Sequence, residues 1–128
     1  MLAVLPKNHP LAENATVPLD SLTREPFILL EEGHYSEPLE AFHAAGLEPN
    51  MKYTVHDDFA IMTMVEAGLG VGILAKLMLR RTNYDIVCLP TDPPIYRELA
   101  IGFKDKDSLP IASKYFINYL LENTDRLP

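Results

Sequence analysis

The chain has no tryptophan, a single cysteine and no cationic run longer than Arg80-Arg81. Each shortage excludes something. One cysteine cannot close an internal disulfide, which suits a reducing compartment; Cys88 lies in an apolar run and reads as a buried, inert thiol. Eleven Lys and Arg stand against eighteen Asp and Glu, a net charge of −7. A chain without a concentrated basic face cannot neutralise a phosphate backbone, so nucleic acid is not expected to be its own partner. No apolar run approaches the roughly 20 residues of a membrane span. The opening Met1-Leu2-Ala3-Val4-Leu5 stops at Pro6-Lys7, without the basic start or the length of a secretion signal. A cytoplasmic location is the expectation. The four histidines are not spaced as a metal site, and Cys88 adds no fourth ligand, so no metal or cofactor is expected. Also missing are a P-loop, a Gly-x-Ser-x-Gly elbow and a dinucleotide fingerprint, since Gly68-Leu69-Gly70-Val71-Gly72 precedes a strand and not a helix. Nothing places a nucleophile beside a base, so no enzymatic activity is expected.

What is present suits one globular domain. The 128 residues are 48% apolar and 23% charged, enough to bury a core. Leu2 to Leu5 read as a strand ended by Pro6. Leu19 to Leu22 read as one helical turn, and Phe27-Ile28-Leu29-Leu30 as a short buried strand. Ser36 is a helix N-cap with Pro38 in the first turn; Leu39, Phe42 and Ala45 share one face, and Gly46 ends the helix. Met51 to Val55 is a strand. Asp57 or Asp58 caps the next helix, whose Ile61, Met64 and Val65 face the core before Gly68 stops it. A strand at 71–75, a short helix at 76–80 and a strand at 85–89 follow. After the turn Thr91-Asp92-Pro93-Pro94 comes a longer strand, 96–103. Ser108 is expected to cap a last helix with an apolar stripe of Ala112, Phe116, Tyr119 and Leu120. Strands alternate with helices, which argues an α/β fold with a mostly parallel sheet flanked by helices.

The placed segments resemble the C-terminal effector-binding (substrate-binding) domain of LysR-type transcriptional regulators. The resemblance is carried by Val4-Leu5-Pro6-Lys7-Asn8-His9-Pro10-Leu11-Ala12, Leu19-Asp20-Ser21-Leu22, Glu25-Pro26-Phe27-Ile28 and Phe42…Gly46-Leu47-Glu48-Pro49. It continues through Met64-Val65-Glu66-Ala67-Gly68-Leu69-Gly70-Val71-Gly72-Ile73-Leu74 and Arg97-Glu98-Leu99-Ala100-Ile101. It implies a lobe similar to type 2 periplasmic binding proteins, in which two α/β lobes are joined by crossover strands around a ligand. The resemblance would make residues 1–17 the first hinge strand and loop. Residues 18–95 would be the second effector-binding lobe, and 96–128 the return strand with a helix that packs on the first lobe. A winged helix-turn-helix, a linker helix and most of a first lobe would precede such a piece. DNA binding would then belong to that N-terminal part of a parent protein, of which this chain is a truncated portion.

Two loops are the candidate effector site. Residues 56–59 open a helix whose free N–H groups and positive dipole end favour polar ligand groups. There His56, Asp57, Asp58 and Phe59 either contact an effector or serve only as cap and solvated surface. An acidic pair at that point disfavours an anion and favours a polar, neutral or cationic effector. Glu32, Gly33, His34, Tyr35 and Ser36 supply the second loop, at the same strand ends where open α/β folds bind ligands. Gly70 and Gly72 read as backbone and packing glycines, with Gly72 also kept as a candidate contact. His9 reads as structural. Bare Tyr115, Phe116 and Tyr119 would invite self-association. A solute-binding lobe of a transport system and a lobe of a small enzyme share the architecture and remain alternatives.

Overall fold

The computed structural model describes residues 1–80 and 83–126. Two compact units are present, Met1–Arg97 and Glu98–Pro128. Arg81, half of the pair noted above, lies outside the described residues.

Among the described residues the first unit has six strands. They are β1 (Leu2–Pro6), β2 (Val17–Pro18), β3 (Phe27–Leu30), β4 (Met51–Val55), β5 (Gly72–Leu74) and β6 (Ile86–Asp92). Four of them form a sheet in the order β2-β6-β1-β5, and β3 pairs with β4. Val71 joins the two ladders. Its N–H donates to the Pro26 carbonyl at 2.9 Å, and its own carbonyl accepts from Ile28 at 2.8 Å. Parallel pairing holds for β2–β6 and β3–β4, while β1 runs antiparallel to both β5 and β6. The sheet is therefore mixed. Thr91 and Asp92, read from sequence as a turn, extend β6 and pair with Val17 and Pro18. A neighbouring strand supplies ladder partners there, which the two following prolines concealed.

Alternation along each strand explains the core. Ala3, Leu5, Phe27, Leu29 and Ile73 face α1 (Leu19–Leu22) and α2 (Glu37–Ala44) in one apolar cluster. Within it the Phe27 and Phe42 rings meet edge to face at 5.5 Å. Val4, Ile28, Leu30 and Leu74 point the other way, onto Ile61, Met62 and Val65 of α3 (Asp58–Glu66). A period of two divides the strands between two buried faces. Met62 takes the core place expected of Met64, which is only partly buried. The α3 stripe keeps Ile61 and Val65 and is rotated by only about 50° from the i, i+3, i+4 reading.

Residues 76–80 form turns and not a helix. Two short-range bonds, Met78 N–H to the Ala75 carbonyl and Arg80 N–H to the Leu77 carbonyl, hold them.

The second unit holds α4 (Ile111–Glu122). Its N-cap is Pro110; Ser108 instead sits in a turn organised by Asp105, whose carboxylate accepts from the Asp107 and Ser108 N–H groups. Ile117 is the buried residue of α4, while Phe116 and Tyr119 of the expected stripe are exposed. Among the described residues the unit's other regular element is the three-residue 3-10 turn Thr124–Arg126, too short to cover that stripe. The strand expected at 96–103 has no ladder, because none of its backbone groups meets a neighbouring strand among the described residues.

Candidate functional site

Because β3 and β4 are adjacent and parallel, their carboxyl ends lie at the same end of the sheet. The two candidate loops leave from those ends. They are stitched together: the Glu31 N–H donates to the Val55 carbonyl at 2.8 Å, and His56 Nδ1 lies 3.3 Å from the Glu31 carbonyl oxygen. His34 and His56 therefore belong to one edge. Gly33 takes a left-handed conformation, φ 111°, that turns the first loop away from β3.

Both loops end in a capped helix. Asp57 is the α3 cap, its Oδ1 accepting from the Phe59 N–H at 2.9 Å. Ser36 caps α2 more loosely, its Oγ accepting from Leu39 at 3.4 Å. The helix starts that the sequence marked by Ser36 and Asp57 thus sit side by side, after neighbouring strands.

Most of the predicted residues are open to solvent there. Glu32, His34, Tyr35, His56, Asp57 and Phe59 are exposed, and Asp58 is half-buried. Gly72 does not join them. It is buried in β5, where an added Cβ would meet Ile61 Cγ2 at 3.0 Å, so close packing of α3 accounts for the glycine.

Sequence reasoning missed the charge at the centre of this edge. Arg97 enters from beyond β6 and donates from Nε to Glu37 Oε1 at 2.7 Å and from Nη2 to Glu37 Oε2 at 2.8 Å. Its Nη1 and Nη2 also reach Glu32 at 3.3 and 2.5 Å. Fork-to-fork pairing of this kind fixes orientation as well as energy. Hydrogen bonds from Arg97 hold the Glu37 carboxyl below the usual glutamate range. The same pairs hold the guanidinium still more firmly protonated than usual. Asp58 moves the other way: burial first, and the Glu32 carboxylate second, push its carboxyl up. A signal existed in the sequence. Glu31, Glu32, Glu37 and Glu40 fall within ten residues that contain no Lys or Arg, an acidic concentration that favours a cation from elsewhere in the chain.

Glu32, Ser36 and Arg97 stand over an apolar floor that includes Phe27, Leu29 and Ile73. The cavity between them measures about 10 Å³, room for about one water molecule. The edge is a wall, not an enclosed pocket. Among the described residues no group of three or more His, Cys, Asp or Glu could hold a metal ion.

Residues 1–125 match the family model described as the LysR substrate binding domain. The chain belongs to that LysR substrate-binding family. The HTH-type transcriptional regulator YvbU of Bacillus subtilis is 28% identical over 124 residues, covering 95% of this chain and 42% of that protein. Among solved structures, HinK, a LysR family regulator from Pseudomonas aeruginosa, superposes with a TM-score of 0.79 at 24% identity. That match covers 95% of this chain and 44% of HinK. The regulatory domain of CcmR from Synechocystis PCC6803, in complex with 2-PG, gives 0.77 at 22% identity, over 99% of this chain and 64% of that one. These likenesses confirm the expected lobe of the periplasmic-binding-protein type. The chain spans less than half the length of YvbU and HinK.

Proposed function

We propose that this LysR-family chain is the effector-sensing lobe of a transcriptional regulator, binding a small polar molecule along the 31–36 and 56–59 edge. The observation that carries the reading is the stitching of those two loops at the ends of β3 and β4. Two helix starts, backbone groups and a few polar side chains converge there without the nucleophile and base that catalysis needs. Binding, not chemical conversion, is what such an edge does.

An effector held there acts by differential affinity. If it binds one arrangement of the sensing domain better than another, it shifts the population toward that arrangement. Segments of a full regulator outside this sequence would pass the preference to DNA. This acidic lobe contributes no DNA-binding face of its own, and the cytoplasm is where it would act. The abundance of carboxylates at the edge, with Arg97 already engaged, favours a neutral or cationic effector over an anion.

No helix among the described residues is long and apolar enough to cross a membrane. Because the edge is one wall, the chain alone should bind weakly. Amide-resonance titration with a panel of small polar metabolites, 2-PG included, tests the reading. Fast-exchange shifts confined to the edge are expected; silence across a broad panel at millimolar concentration argues against it.

A further inference from the structure

We propose that Glu32 sets the charge of the effector by filling the outer end of the Arg97 guanidinium, which bars an effector carboxylate or other small anion from it. This deepens the sensing reading and rests on it. A guanidinium offers carboxylates two forks, one of Nε with Nη2 and one of Nη1 with Nη2. Glu37 takes the first at 2.7 and 2.8 Å, and Glu32 takes the second at 3.3 and 2.5 Å. Both forks are thus occupied from within the chain. A third carboxylate finds no bidentate seat.

The two carboxylates are not equivalent. Glu37 is 17% exposed, and Arg97 holds its carboxyl below the usual range. Glu32 is 40% exposed and reaches Nη1 by the longest of the four bonds. One carboxylate already neutralises one guanidinium, so Glu32 adds a negative charge beyond balance. It also stands against Asp58, whose carboxyl is pushed up by burial first and by Glu32 second. A half-exposed charge set against a like neighbour stabilises a fold little. Its effect falls on what can enter, since a site rejects the wrong ligand by repulsion as well as by poor fit. Glu32 sits with Ser36 and Arg97 over the apolar floor of the edge, in the path of an incoming anion. A neutral or cationic group meets no such opposition.

Acetate reproduces the Glu32 carboxylate and is the probe. Titrated into the natural chain, with sodium chloride at matched ionic strength as the blank, it should leave the edge unmoved. Glu32→Ala opens the outer fork and leaves the Glu37 pair in place. It should bind acetate at least about tenfold more tightly than the natural chain. The Arg97 Nε–H resonance and the amides of residues 32–37 should move together. Glu40→Ala removes the same charge from an exposed position of α2 that meets no cation among the described residues, and should gain nothing. Glu32 and Glu40 are both exposed, so circular dichroism should report an unchanged fold for each variant. Equal acetate binding by the natural chain and Glu32→Ala overturns the inference. So does an equal gain in Glu40→Ala, or a Glu32→Ala protein whose Arg97 resonance stays still. A neutral metabolite that moves the natural edge while acetate leaves Glu32→Ala untouched sinks this inference and leaves the sensing reading standing.

Discussion

Arg97 grips both carboxylate oxygens of Glu37 across 60 residues of sequence, tying the end of the first unit to the start of α2. The two side chains are 24% and 17% exposed, so much of the pair is out of water. Truncating one partner would strand the other's charge in a partly dry place.

Arg97→Ala should therefore destabilise the first unit by about 2 kcal/mol in urea unfolding, and Arg97→Lys should recover only part of that because an ammonium has no fork. Equal stability of all three proteins would show the pair to be surface decoration.

The same pair sets a pH dependence. The folded-state pKa of Glu37 lies below its unfolded value, so its stabilisation is fully present above the ordinary glutamate pKa of about 4.3. It is lost as pH falls through that value toward the lower, folded one. Unfolding free energies measured down the acid range should drop less steeply in Glu37→Gln than in the natural chain. Parallel pH curves would contradict the assignment.

Asp57 and Asp58 are neighbours with opposite prospects. Asp57→Ala removes the α3 cap and should cost about 1 kcal/mol. Asp58→Asn relieves a carboxylate already disfavoured by burial and by Glu32, and should leave stability at neutral pH unchanged or slightly raised. Denaturation midpoints of the two variants decide it, and a larger loss for Asp58→Asn would reverse the roles.

Gly70 owes its identity to space. A Cβ there would lie 2.3 Å from the Pro26 carbonyl oxygen, a backbone atom with nowhere to move without breaking the Val71–Pro26 hydrogen bond. Gly70→Ala should cost about 3 kcal/mol, more than Gly68→Ala, where only the left-handed backbone is strained. Thermal unfolding of the pair checks the order.

Local signals carried much of this fold into view. Ser36, Asp57, Gly46 and Gly68 mark helix ends by cap chemistry and backbone conformation, both written in one or two residues. Strands β3 and β4 were legible because their apolar or β-branched runs are bounded by breakers. The direction of β1 was not, because antiparallel pairing with both neighbours depends on where the chain returns and not on any property of Leu2 to Pro6. Segment 96–103 has a strand's alternation, yet alternation cannot report whether a partner strand is within reach. The paired loops of the site followed from strand ends and helix starts. Arg97 stayed hidden because its importance lies in two carboxylates 60 and 65 residues away.

The central claim is that residues 31–36 and 56–59 act as one binding edge. Amide resonances of the two loops, followed in the same titration with whichever metabolite of the panel binds, test it most directly. One ligand on one edge predicts that His34 and His56 move with a single common dissociation constant. Two different constants, or movement of one loop while the other stays still, would contradict it.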